Sequence, residues 1–208
     1  PEHLESSRTW LSKGLIRKAK QIINTNIELL HPVVSVDTPM IGIEPSAILT
    51  FRDEYIDLAT DENITKAKEL SSAVFCIDEF IANEFAAGKI ATSLFTNEKR
   101  HIKLHGHCQQ KALSTITSTS SALSIPQNYT VEIIPSGCCG MAGSFGYEKE
   151  HYDISMQIGE LVLFPAIRTA APETIIAAPG TSCRHQIKDG TGVKAKHPVE
   201  ILWEAIEK

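Results

Sequence analysis

The stretch NYTVEIIPSGCCGMAGSFGYE, residues 128–148, decides how the rest of the chain is read. NYTVEIIPSG predicts a strand, and the strand ends on the adjacent pair Cys138 and Cys139. Neighbouring residues of an extended chain point to opposite sides. Two adjacent thiols can therefore serve one site only if the backbone turns sharply beneath them. Gly137 and Gly140 bracket the pair and permit such a turn. EKEHYDISMQIGELVLF follows and predicts a helix with Ile154, Ile158 and Leu161 in register. Pro165 breaks it and starts a short second helix.

The same alternation extends in both directions. Upstream, LSKGLIRKAKQIINTNIELLHP places Leu15, Ala19, Ile22, Ile23, Ile27 and Leu30 on one helical face. PMIGIEP is a short strand bounded by Pro39 and Pro45. A helix follows from about Ala47 to Ala59, and Asp61 can cap another. SSAVFCIDEFIANEFAAG, residues 71–88, reads as a third helix ended by Gly88. KRHIKLHGHC is a strand running into a small-residue turn, and CQQKALSTITSTSSAL continues as helix. Downstream, ETIIAAPG is the last strand and HPVEILWEAIEK a terminal helix. Strands separated by helices imply an α/β fold built from parallel βαβ units.

Composition excludes several classes. The 208 residues are 42% hydrophobic and 22% charged, with a net charge of −5. Lys and Arg are scattered, so no nucleic-acid footprint is expected. No apolar run approaches the ~20 residues of a membrane span. The first residues, PEHLESSRTW, carry neither an initiating Met nor an apolar signal region, which implies a piece of a longer, cytoplasmic chain. Five cysteines are too few for a secreted disulfide scaffold of this length. Clustered cysteines then point to metal or redox chemistry.

Cys108 follows one strand, Cys138 and Cys139 a second, and Cys183 a third. In a parallel sheet those strand ends share an edge, where ligand sites lie. The 29 residues between Cys108 and Cys138 and the 43 between Cys139 and Cys183 therefore need not keep the four sulfurs apart. Four converging thiolates are soft ligands that suit an iron–sulfur cluster or zinc. Amides of a glycine-rich turn can also bond to cluster sulfur.

LHGHCQQKAL, IPSGCCGMAGSFGYEKEHYDISMQIGE, APGTSCRHQI and HPVEILWEAI together resemble the cysteine-rich CCG domain. That family includes one of the subunits of heterodisulfide reductase, the glycolate oxidase iron–sulfur subunit, and the C-terminal regions of fused FAD-linked oxidases of D-lactate or related 2-hydroxyacids. The resemblance implies two related lobes, the first incomplete: residues 1–60 a remnant of a first CCG domain, 61–100 a helical connector, 101–208 a second CCG domain. It implies that Cys108, Cys138, Cys139 and Cys183 hold a [4Fe–4S] cluster, with zinc the alternative. FAD and ferredoxin-like domains would lie upstream, a quinone or protein would accept electrons, and the parent could sit peripherally at the inner membrane. This chain departs from the family pattern in two places. Gly180 falls where the first Cys of the terminal CxxC should be, and Ala47 where the first domain usually carries Cys after EPS. Five-cysteine ligation is thus not available here.

Simpler readings compete at each position. Cys76, beside Phe75 and with Phe80 on a helical face, reads as a packed thiol. His105 and His107 flank Cys108 on a turn, where either could be a ligand, a donor to one, or merely a turn residue. His185 beside Cys183 could likewise be a ligand or a donor to one, which is the lesser reading. Gly140, Gly143 and Gly146 lack the spacing and the Lys of a phosphate loop. Two function classes remain: an electron-transfer module of an FAD-linked 2-hydroxyacid oxidoreductase, or a zinc-binding or metal-free docking module of the same parent. A thiol hydrolase is a distant third, since no local signature fits.

Overall fold

The computed structural model describes residues 2–207. It is an α/β protein whose described residues form 12 α-helices and two small sheets, with every ladder between named strands parallel. The chain divides into two compact units, the first ending at Ile77 and the second beginning at Asp78.

In the first unit, α1 (Arg8–Ser12) and α2 (Ile16–Leu30) precede β1 (Met40–Gly42), then come α3 (Pro45–Ile48), α4 (Glu54–Leu58), α5 (Ile64–Ser72) and β2 (Val74–Cys76). The face of α2 that packs inward is Ala19, Ile23, Asn26, Ile27 and Leu30, while Leu15 and Leu29 stay exposed. The expected helix over 47–59 is broken. Pro45 starts α3, where Glu44 accepts from the Ser46 amide as N-cap, and a 3-10 turn at Leu49–Phe51 separates it from α4. Tyr55 is fully buried, and Asn26 Nδ2 donates to its hydroxyl at 2.8 Å.

The largest departure from expectation lies at residues 71–88. One helix is not formed. Ser71 and Ser72 end α5, Val74–Cys76 is a strand paired with Met40–Gly42, and Ile77–Ala86 forms a separate helix (α6). A short apolar run such as AVFCI fits a buried strand as well as a helix, and the partner strand settles which. Cys76 is buried on this strand and not on a helical face.

The second unit carries the larger sheet. β3 (Arg100–Leu104), β4 (Tyr129–Ile133) and β5 (Ile175–Ala177) stand in the order β4-β3-β5. Helices α7 (Cys108–Leu113) and α8 (Ile116–Leu123) cross from β3 to β4. Thr115 caps α8 and interrupts what the sequence reads as one helix. Helices α9 (Tyr152–Leu161) and α10 (Leu163–Arg168) lie between β4 and β5, and α11 (Thr181–Thr191) and α12 (Pro198–Ala205) follow β5. The break between α9 and α10 falls at Val162, so Pro165 lies in the first turn of α10, where its missing N–H costs nothing.

Alternate strand residues serve opposite faces of this sheet. Ile102, Leu104 and Ala177 pack with Leu123, Ile125 and Ile201. Ile176 and Ala178 pack with Phe164, Ile167 and Ile187. On α9 the buried positions are Ser155 and Gly159, whereas Ile154 and Leu161 are exposed. The expected apolar stripe is therefore not the inward face. The small residues let this helix approach the CCG turn and the ring of Phe164 closely.

Candidate metal centre

β3 is the central strand. The chain leaves it for β4 on one side and returns to β5 on the other, so the strand order reverses at its C-terminal end, the usual place for a crevice in such sheets. Beyond Leu104 the ladder continues: the His105 amide donates to Ala177 O at 2.8 Å and the Ile134 amide to Leu104 O at 2.9 Å. Three loops are thereby held side by side. Residues 105–108 lead into α7, 134–140 carry the CCG turn, and 178–183 enter α11.

All four cysteines expected from the sequence meet here. Cys108 lies against Cys138, and Cys139 against both Cys138 and Cys183. Cys139 and Cys183 are buried in the apolar cluster behind the sheet edge, Cys138 is half-buried, and Cys108 is exposed. Cys76 lies in the first unit. The set is thus lipophilic on one side and open on the other.

The turn that aims both adjacent thiols has a specific backbone. Gly140 has φ +102°, and a Cβ there would lie 2.1 Å from the carbonyl oxygen of Ser155. Ala142 (φ 39°) and Gly143 (φ 70°) also lie in the left-handed region. Successive amides in such a turn converge on one point. The Gly140 amide donates to Cys138 Sγ at 3.3 Å. Gln186 Nε2 holds the facing helix, donating to Ser155 O at 3.0 Å and to its Oγ at 2.9 Å. On the other flank Lys111 Nζ donates to the carbonyls of Ser136 and Gly137 (3.1 Å to the latter).

The thiols divide into two kinds. Cys138 is held well below the ordinary thiol range, first by the S–H donors of Cys108 and Cys139, then against burial by the amides of Gly140 and Ala142. Cys183 is lowered by Cys139, with His105 and His107 adding to the effect against burial. Cys108 is pushed up by its bond to Cys138 and by burial, and Cys139 by its bonds to Cys138 and Cys183 and by burial. Four thiols drawn together in this way are chemically a soft-metal ligand set.

His105 completes the arrangement. It is fully buried, its Nδ1 lies 2.7 Å from Ser136 Oγ, and its Nε2 has no hydrogen-bond partner. Leaving such an atom unpaired costs about 1–3 kcal/mol. One ring nitrogen of His105 and the sulfurs of Cys139 and Cys183 all lie within 4.8 Å of one another. An orphaned buried nitrogen beside soft sulfur donors fits a metal centre. Gly180, three residues before Cys183, lies directly against the group: a Cβ there would be 3.2 Å from Cys183 Sγ and 2.4 Å from His107 Cδ2. Sequence reasoning offers His105 and His107 as a ligand, a donor to one or a turn residue, and does not tell the two apart. It misses Ser136 and Lys111, for which the sequence offers no signal beyond proximity to the cysteines. It also misses Asp78. This buried carboxylate accepts from Gln110 Nε2 (3.1 Å) and from Thr119 Oγ1, tying the start of α6 to α7, which carries Cys108, and to α8. His185 sits on the surface, bonded to the Tyr147 hydroxyl at 2.8 Å.

Known proteins resemble this chain along almost its full length. It is 29% identical over 196 residues to D-2-hydroxyglutarate dehydrogenase of Escherichia coli K12, covering 94% of this chain and 18% of that protein. The enzyme of the same name from Pantoea ananatis is 27% identical over 195 residues, 93% of this chain and 18% of the relative. One subunit of the anaerobic glycerol-3-phosphate dehydrogenase of Escherichia coli K12 is 25% identical over 197 residues, 94% of this chain and 48% of that relative. The chain thus spans about a fifth of the length of the first relatives and about half of the last. No family model and no solved structure matches it. Among the described residues no helix is long and apolar enough to cross a membrane.

Proposed function

We propose that this chain is the iron–sulfur electron-transfer module of an FAD-linked oxidoreductase acting on a 2-hydroxy acid, with D-2-hydroxyglutarate the substrate that the similar proteins suggest. The observation that carries this reading is the contact of four thiols contributed by three separate strand ends. Cys108, Cys138, Cys139 and Cys183 would hold a [4Fe–4S] cluster. Bound there, the cluster supplies one-electron transfer, which links a two-electron flavin to an acceptor such as a quinone or another protein.

The chain's own residues provide the holding and the shielding. The Gly140 amide stabilises the Cys138 thiolate, Lys111 pins the carbonyls before the CCG turn, and Ile134, Met141 and Ile187 keep water from the Cys139 side. No flavin fingerprint occurs in the sequence, and the flavin and ferredoxin-like parts would belong to other portions of a parent chain. Within this chain, residues 1–60 would be the remnant of a first CCG lobe, 61–100 a connector and 101–208 the working lobe. In line with that, the cavity of about 450 Å³ beside β1 is lined by Ala47, Ile48 and Phe51 and by no cysteine.

A second reading has its own support. Donor atoms within 4.8 Å suit one tetrahedral ion, whose bonds to sulfur (~2.3 Å) and nitrogen (~2.0 Å) bring ligands that close. A structural zinc would make this a docking module. Anaerobic reconstitution with iron and sulfide separates the two. A brown protein with four irons and four sulfides per chain, giving an EPR signal on reduction, is expected from the first reading. A colourless protein that retains one zinc per chain and no iron would replace it with the second.

A further inference from the structure

We infer that His105 is a metal ligand, its Nε2 binding the same centre as Cys139 and Cys183 and supplying the donor that Gly180 lacks. This rests on the metal-centre reading above and deepens it. The argument begins with the strand. His105 is the first residue past β3; its N–H donates to Ala177 O, and the Ile134 N–H donates to Leu104 O, which fixes the backbone between the two loops that carry Cys139 and Cys183. The side chain has no exposed atom through which solvent could satisfy it. Its Nε2 is nonetheless unpaired, and a nitrogen of the ring lies within 4.8 Å of both sulfurs.

The two histidines of the HGH sequence differ in what their other nitrogen does. His107 Nδ1 accepts the Gln109 amide at 3.2 Å as the N-cap of α7. An accepting Nδ1 puts the proton of the neutral ring on Nε2, which then has no lone pair to offer a metal. His105 Nδ1 has a hydroxyl at 2.7 Å, Ser136 Oγ, to which it can donate. That bond leaves the lone pair on Nε2, the arrangement found where a metal-binding histidine is oriented by a second partner. The ring of His107, in turn, fills the space into which a side chain at 180 would extend. A fifth cysteine is thus replaced by a histidine pair with divided roles: His105 coordinates, and His107 closes the gap left at Gly180 and presents an N–H to the centre.

The test is nitrogen hyperfine spectroscopy on the full chain, reconstituted anaerobically with iron and sulfide and reduced. Samples with ¹⁵N-histidine and with natural histidine are compared. A coupling of the size seen for directly bound imidazole is expected, present in wild type and in His107→Gln and absent in His105→Ala. Resistance of bound iron to a chelator should fall about 10- to 100-fold in His105→Ala. Full iron and sulfide in wild type with only the weak coupling of a hydrogen-bonded nitrogen would overturn the ligand assignment while leaving the metal centre standing. Wild-type protein that takes up neither iron nor zinc would sink the metal-centre reading itself. The decisive coupling is read on unmodified protein, so a variant that fails to fold does not blur the result.

Discussion

The carbonyl oxygen of Ser155 on α9 lies 2.1 Å from the point where a Cβ on Gly140 would stand. Backbone meets backbone here, so no rotamer change can relieve the contact. The positive φ of Gly140 adds strain for any L-residue. Gly140→Ala is expected to destabilise the chain by about 2–4 kcal/mol, combining strain and overpacking. Urea unfolding of the metal-free protein measures it. A change under ~0.5 kcal/mol, the range of a neutral surface substitution, would mean the CCG turn can shift freely.

A cysteine introduced at position 180 should not simply improve the site. In Gly180→Cys the new Cβ meets His107 Cδ2 at 2.4 Å, and a loss of about 1–3 kcal/mol is expected. His107→Ala alone removes the N-cap of α7 and costs about 1 kcal/mol. The double variant should be more stable than the sum of the two, by about 0.5–3 kcal/mol of coupling. Strict additivity would show that the ring of His107 yields without cost.

Cys139→Ser should abolish or reshape metal binding, because a hydroxyl replaces a soft ligand at the centre of the thiol group. Cys76→Ser should leave binding intact and cost on the order of 1 kcal/mol, since Cys76 is a buried strand residue of the other unit. Iron and sulfide per chain after parallel reconstitution decide it. Equal iron in wild type and Cys139→Ser would remove Cys139 from the ligand set.

Tyr55 makes stability fall at high pH. Burial pushes its hydroxyl pKa up, more than the Asn26 bond lowers it. The folded state therefore keeps the proton after the unfolded chain, with a tyrosine pKa near ~10, has lost it. The contribution is complete below that value and declines as pH rises through it, by about 1.4 kcal/mol per pH unit for one proton. Tyr55→Phe should show a shallower alkaline decline in urea unfolding between about pH 9 and 11, the range spanning the ordinary tyrosine value. Parallel declines would mean that Tyr55 ionises equally in both states.

Much of the second unit was legible before any coordinates. β3, β4 and β5 and the cysteines at their ends follow from short apolar runs stopping at glycine or proline, and parallel order follows from the intervening helices. What failed did so where local pattern is ambiguous. AVFCI holds β2 because β1 offers it a partner, a fact that no window of sequence contains. On α9, Ile154 and Leu161 look like a core stripe, yet the turn at Gly140 demands small neighbours, and Ser155 and Gly159 face inward. At the site, thiols announce themselves by type. The pairing of His105 with Ser136 spans 31 residues and is visible only once β3 and β4 lie in register.

The strand order β4-β3-β5 also fixes when the site can come into being. A ribosome releases Cys108 first, then Cys138 and Cys139, while one edge of β3 is still bare. Cys183 arrives only with β5, which must find that edge across the whole α9–α10 crossover, and such distant pairings form late. Until then three thiols sit on a half-built sheet, open to premature oxidation. A metal that needed all four thiols could accordingly enter only once the last strand has docked.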